Sequence, residues 1–129
     1  EVHRCVNAQK TTGVKELETI GREGRKWYIG IGLSTQLISD LIPDNSSAEG
    51  IAAIQNLFKL STYKFIFHQD ESSREKIRQA FAGTFSENVI DKIPVLAKKE
   101  CFLSIATERV LKFTVWASEE ELYIFDGGQ

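Results

Sequence analysis

Apolar side chains recur along this chain at two spacings, three-to-four and two, and the spacing switches several times. Val14, Leu17 and Ile20 repeat every three positions, and Glu18 stands four residues before Arg22. That pattern predicts a helix within 7–27, secure from residue 14 because Gly13 can break it. Gly21 and Gly24 weaken such a helix by about 1 kcal/mol each relative to Ala. Two glycines tolerated there imply close approach of a neighbouring backbone or of a ligand. Residues 28–34 (YIGIGLS) read as a short buried strand.

A helical turn is expected over 37–41, followed by a loop at Pro43-Asp44-Asn45-Ser46. Ser46 or Ser47 can cap the next helix, with Glu49 in its first turn and Ile51, Ile54, Leu57 and Phe58 on its apolar stripe. Residues 62–67 (TYKFIF) form the second expected strand. Asp70 to Ser73 can cap a helix running to about Ala82, with Ile77, Ala80 and Phe81 inward and Gly83 as its C-terminal glycine. Ser86 starts another short helix that should stop before Pro94, and Val89 occupies the place of a reciprocal capping carboxylate. Residues 100–106 and 110–117, joined through Thr107-Glu108-Arg109, predict a hairpin. Ser118 then caps a last helical turn before Gly127-Gly128.

Strands alternating with helices predict an α/β layer of parallel strands flanked by helices, with an antiparallel C-terminal hairpin. Ligands of such sheets bind at the carboxyl ends of the strands. Here those ends are Ser34-Thr35-Gln36 and His68-Gln69-Asp70.

Composition narrows the function classes. The 129 residues suit a single domain, 42% hydrophobic and 26% charged, with a net charge of −2. That balance argues against a bulk electrostatic grip on nucleic acid, though not against a local basic patch. No apolar run reaches the roughly 18 residues of a membrane span, so a cytoplasmic location is expected, or a peripheral one at the inner face of a membrane. The chain has no Met, and Glu1 reads like the middle of a motif, so a fragment of a larger domain is expected. Cys5 and Cys101 have no redox or zinc spacing and read as two reduced thiols. His3 and His68 are too far apart in sequence to suggest a metal site, and neither a GxxxxGK[ST] loop nor a GxGxxG turn is present.

Three segments carry candidate chemistry: Glu1-Val2-His3-Arg4, residues 21–26 (GREGRK) and Ser34-Thr35-Gln36. Each also has a plain structural account. Glu1 can be a frayed terminus, Arg22 and Arg25 a solvated helix face, and Gln36 a cap of the following turn.

The order and spacing of the three resemble the C-terminal part of a P-loop motor ATPase of the FtsK–HerA class, most closely the conjugative-transfer and type IV secretion ATPases. In that family a strand ends in Asp-Glu, a helix carries a Gly-Arg-x-x-Arg-Lys type segment, and the next strand ends in Thr-Gln. The resemblance extends through YKFIFHQD and the ECFLS…VLKFTV hairpin to Ser118-Glu119-Glu120. It implies a partial RecA-like layer, with the phosphate loop and the Mg²⁺-holding Asp upstream of Glu1. It also implies that Glu1 polarises the attacking water and that Thr35 and Gln36 sit beside the terminal phosphate, with Gln36 orienting that water. Arg22 or Arg25 would stabilise phosphoryl charge, in trans within a hexameric ring. ATP and Mg²⁺ are thus expected in the intact parent and neither in this chain alone. DNA and secretion-channel proteins are the implied partners. The alternative is a non-catalytic α/β module that docks a partner through its basic face at 22–26.

Overall fold

The structure, a computed structural model, describes residues 4–106 and 109–125. The helix over Thr11–Glu23 (α1) lacks a side-chain cap. It tightens into a 3₁₀ turn over Gly24–Trp27, and the chain leaves it at Tyr28 with φ 57°. Val14 of the predicted stripe is fully buried and Leu17 packs against the core, but Ile20 is exposed.

A short helix, Ile38–Leu41 (α2), precedes Ala48–Leu60 (α3). Ser47 caps α3, its Oγ accepting from Gly50 N at 3.0 Å. Gly50 is required there for a second reason: a Cβ at this position would collide with the main-chain carbonyl of Ala8. The absent side chain lets the 6–8 segment lie directly against the first turn of α3. Ala8 N also donates to Leu41 O at 2.8 Å, which ties the same segment to the end of α2.

Tyr63–Phe67 (β1) is followed by a 3₁₀ turn over Glu71–Ser73, where Asp70 accepts from Ser72 N, and then by Arg74–Ala80 (α4). Gly83 adopts φ 75°, a conformation that favours glycine, just past the end of α4. Glu87–Lys92 (α5) begins after Ser86 without a side-chain cap, in line with its incomplete capping box. As expected, α5 stops before Pro94; the chain continues into a 3₁₀ turn over Ile93–Val95, near whose start the missing N–H of Pro94 does no harm.

The hairpin forms as predicted. Glu100–Ile105 (β2) pairs antiparallel with Arg109–Thr114 (β3). Its linker residues Thr107 and Glu108 lie outside the described residues. Glu119–Phe125 (α6) closes the described chain with a reciprocal capping box: Glu121 N donates to Ser118 Oγ at 3.2 Å and Ser118 N donates to Glu121 Oε2 at 2.8 Å. Gly127 and Gly128 are likewise outside the described residues.

The fold is therefore mixed α/β around a three-stranded sheet of order β1-β2-β3. Two sequence expectations are not met among the described residues. The sheet is antiparallel throughout, because β1 pairs with β2 from Tyr63↔Ile105 to Phe67↔Cys101. Residues 29–35, expected as the first strand, are extended but belong to no sheet among the described residues. Their alternation of Ile29, Ile31 and Leu33 is strand-like, yet no strand of the described chain lies at hydrogen-bonding distance.

Helices cover one sheet face. Ile54 and Leu57 of α3, Ile77 of α4 and Ile90 of α5 share a core with Ile66 and Phe102 of the sheet. Burying each such side chain contributes about 1.5–3 kcal/mol. The opposite face carries Tyr63, Phe65, Leu111 and Phe113, all exposed. Phe65 and Phe113 meet edge to face across it, with centroids 6.4 Å apart. Cys101 pairs in register with Phe67 and Phe113 and is fully buried, whereas Cys5 is exposed; both thiols are free.

Candidate functional site

The polar trio that sequence reading places at a strand's carboxyl end lies at the end of the extended 29–36 segment, just before α2. Thr35 is partly buried and its Oγ1 donates to Leu37 O at 3.2 Å. Gln36 is exposed, and its side chain is left available while its main chain is held. The holder is Gln69, two residues beyond β1. Its Nε2 donates to Gln36 O at 3.0 Å and to His68 O at 3.1 Å, and its Oε1 accepts from Ile38 N at 3.1 Å. One carboxamide thus fixes the Gln36 backbone and the start of α2 relative to the end of β1. The two ends named from sequence as ligand-facing, 34–36 and 68–70, are brought together by this contact. The clamp itself could not be foreseen, since a Gln at a strand end has many possible partners.

A cavity of about 1000 Å³ opens between these ends and continues along β1. Lys64 lines it and is buried; its Nζ donates to Ser61 O at 2.6 Å, and burial lowers its pKa. Sequence analysis read Lys64 only as part of a strand. A single Lys among TYKFIF was the available signal of a polar group carried into the interior.

The basic segment is placed elsewhere. Arg22 is exposed on α1 and forms the predicted pair with Glu18, with Nη2 to Oε1 at 2.7 Å. Arg25 is exposed in the 3₁₀ turn and makes no ion pair with any described residue. No hydrogen bond or ion pair joins Arg22 or Arg25 to Thr35 or Gln36. Of the two glycines beside the arginines, one is accounted for by a close approach inside the chain. A Cβ on Gly24 would come within 3.2 Å of Ile29 Cβ, and one on Gly21 would meet Leu60 at 3.6 Å and Ile31 at 4.0 Å. Gly24 lets Ile29 pack closely on the 3₁₀ extension of α1, whereas a side chain at Gly21 would meet its neighbours at ordinary contact distance. Glu1, the remaining candidate, lies outside the described residues. Among the described residues no group of three or more His, Cys, Asp or Glu side chains is placed to hold a metal ion. Among the described residues no helix is long and apolar enough to cross a membrane.

Comparison with known proteins bears on the fold first. No protein-family model matches the chain. An uncharacterized protein of Bacillus anthracis is 24% identical over all 129 residues. VirB4 of Thermoanaerobacter pseudethanolicus has a similar fold, with a TM-score of 0.71 over 95% of this chain at 20% identity. The chain spans about a fifth of the length of the first of these and 31% of the second.

Proposed function

We propose that this chain is the C-terminal part of the motor domain of an ATP-hydrolysing protein that powers DNA or protein transfer in conjugation or type IV secretion. The fold likeness to VirB4 over 95% of the chain carries this reading, because it coincides with the resemblance drawn independently from residues 21–26 and Thr35-Gln36. The FtsK–HerA class, the RecA-like parallel layer and the hexamer belong to the proposal.

The described residues fit the terminal-phosphate edge of a nucleotide site and not the whole of it. Gln36 offers a solvent-facing carboxamide on a backbone fixed by Gln69, which is the preorganisation a water-orienting group needs. Thr35 adds a partly buried hydroxyl beside it. The phosphate cradle and the Mg²⁺ ligands would come from sequence beyond these residues. When bound, ATP·Mg²⁺ would supply the phosphoryl group and the charge that Arg25 or Arg22 and Glu1 are placed by the resemblance to manage. The docking-module alternative draws less support, because Glu18 already neutralises half of the basic pair on that face.

The test is ATP hydrolysis by the polypeptide of the natural reading frame that contains these residues. Gln36→Ala there should leave ATP binding intact and lower turnover about 100-fold, the scale of one lost transition-state contact. Turnover unchanged by Gln36→Ala, or no hydrolysis by the parent, would reject the reading. The 129-residue chain alone should neither hydrolyse ATP nor bind it at micromolar concentration.

A further inference from the structure

Tyr28 is held in a conformation that suits glycine, and its whole side chain stands in solvent. It ends the 3₁₀ turn over Gly24–Trp27 with φ 57° and ψ 31°, in the left-handed region. A bulky side chain is strained there, whereas glycine is not. No packing offsets the strain, because Tyr28 is 99% exposed and the neighbouring Trp27 is 75% exposed. Strain that nothing inside the chain offsets points to a contact made outside it. Arg25 and Lys26 lead into the two rings, both exposed and neither ion-paired with any described residue. The result is a protruding tip, aromatic at its end and basic at its base.

α6 has the complementary character. All seven of its residues are exposed, and none joins the core. A helix that short is marginal in water unless it buries a face. Leu122, Tyr123, Ile124 and Phe125 give it apolar surface. Glu119 and Glu120 stand at its start without an ion-pair partner among the described residues, while Glu121 is taken up by the Ser118 cap. An aromatic tip with a basic base thus finds its match, in apolar character and in sign of charge, on the same chain. The two surfaces stand at opposite edges of the sheet. The segment that continues the tip, 29–36, faces β1 across the cavity, and α6 follows β3.

We propose that Trp27 and Tyr28 of one copy dock on the apolar surface of α6 of a second copy, with Lys26 beside Glu119 and Glu120. The contact is apolar at its centre and charged at its rim, the anatomy of a specific interface. One copy gives the tip and the other the helix, so the contact is head-to-tail. It leaves a free tip at one end and a free helix at the other, and it propagates until a ring closes or a filament grows. The inference goes beyond the motor reading, because the contact needs no nucleotide.

Sedimentation velocity on the polypeptide of the natural reading frame tests it, with melting temperature as the control for folding. Tyr28→Gly relieves the left-handed strain, so it should melt no lower than wild type and yet associate about 30-fold or more weakly, the scale of a lost hot-spot side chain. Lys26→Glu should weaken association about 10-fold, and adding Glu119→Lys and Glu120→Lys should recover it. A tip variant, Trp27→Ser with Tyr28→Gly, and a helix variant, Leu122→Ser with Phe125→Ser, should each be monomeric alone. Mixed, they should form one-to-one dimers and nothing larger, since one intact tip meets one intact helix. Association unchanged in either variant, or a mixture that stays monomeric, overturns the proposal. So does a lower melting temperature in Tyr28→Gly, which would give the ring a packing role inside the chain. A monomeric wild type in which Trp27 and Tyr28 are shielded from solvent assigns the tip to another part of the same polypeptide and overturns it too. Head-to-tail assembly in a protein that hydrolyses no ATP would uphold the contact while rejecting the motor reading. An active ATPase whose assembly ignores both variants would do the reverse.

Discussion

Gln69 and Gln36 are joined by a side chain acting on a main chain: Gln69 Nε2 donates to Gln36 O at 3.0 Å, and the same carboxamide accepts from Ile38 N through Oε1 at 3.1 Å. Gln69→Ala removes these two bonds, along with the one to His68 O, and frees the segment that ends in Thr35-Gln36. The expected loss is about 1–2 kcal/mol of unfolding free energy, read from the urea midpoint, with faster exchange of the Ile38 amide. Gln69→Glu keeps the acceptor for Ile38 N but sets a carboxylate oxygen against the Gln36 carbonyl, so it should fall short of wild type. A midpoint unchanged in Gln69→Ala would show that the clamp is not formed in solution.

Gly50 and Gly30 form a matched pair for a packing test. Alanine favours a helix over glycine by about 1 kcal/mol, so Gly50→Ala within α3 would stabilise the chain if space allowed. The Ala8 carbonyl occupies that space. The expected result is a net loss of about 2 kcal/mol or more, seen in thermal or urea unfolding. Gly30→Ala meets nothing within 4 Å and should be nearly neutral. Equal effects at the two positions would contradict the close approach of the 6–8 segment to α3.

The pair Arg78–Glu87 joins α4 to α5, with Arg78 Nη2 to Glu87 Oε2 at 2.9 Å, and Arg78 also reaches Glu75 at 2.7 Å. Hydrogen bonding to Arg78 lowers the Glu87 pKa below its ordinary 4.5. A carboxylate with a depressed folded pKa contributes stability above its unfolded pKa and loses it as pH falls through the folded value. Glu87→Gln should therefore lower the melting temperature near neutral pH, and the difference should shrink as the pH drops below about 4.5 and then vanish. Both groups are solvent-exposed, so high salt should shrink it as well. A difference that grew on acidification would reverse the sign of this linkage.

Arg25 and Arg22 should separate in the parent protein. Glu18 claims Arg22, whereas Arg25 is exposed and without an ion-pair partner among the described residues. Under the motor reading, Arg25→Ala spares folding and ATP binding and lowers hydrolysis about 1000-fold, the low end for a lost arginine finger. Mixing Arg25→Ala subunits with Glu1→Gln subunits should restore part of the activity if the arginine acts on a neighbour. No recovery in rings shown to exchange subunits would place Arg25 on a solvated face or within one subunit.

Much of the fold was legible because it is set by local chemistry. Ser47 announces the start of α3, the 3/4 spacing of Ile51, Ile54, Leu57 and Phe58 follows from its one buried stripe, and the short link at 107–109 joins β2 directly to β3. What failed was non-local. Nothing near Tyr63 indicates that β1 pairs with a strand more than 30 residues later rather than with 28–34. The alternation of Ile29, Ile31 and Leu33 has the period of a strand, but no strand among the described residues pairs with it. At the candidate site, sequence located the two polar ends, 34–36 and 68–70. It could not show that Gln69 holds them together, because side-chain to main-chain bonds across 33 residues leave no periodic trace.

Cys101 makes the sheet report on its own opening. Its thiol is fully buried, burial raises its pKa, and it sits opposite Phe67 on one side and Phe113 on the other. Alkylating reagents act on the exposed thiolate, so Cys5 should be consumed at once and Cys101 only during excursions in which β1 and β3 part from β2. The second phase of such a reaction is thus a stopwatch for sheet separation. It needs no added label, and it would slow if another strand locked β1 in place.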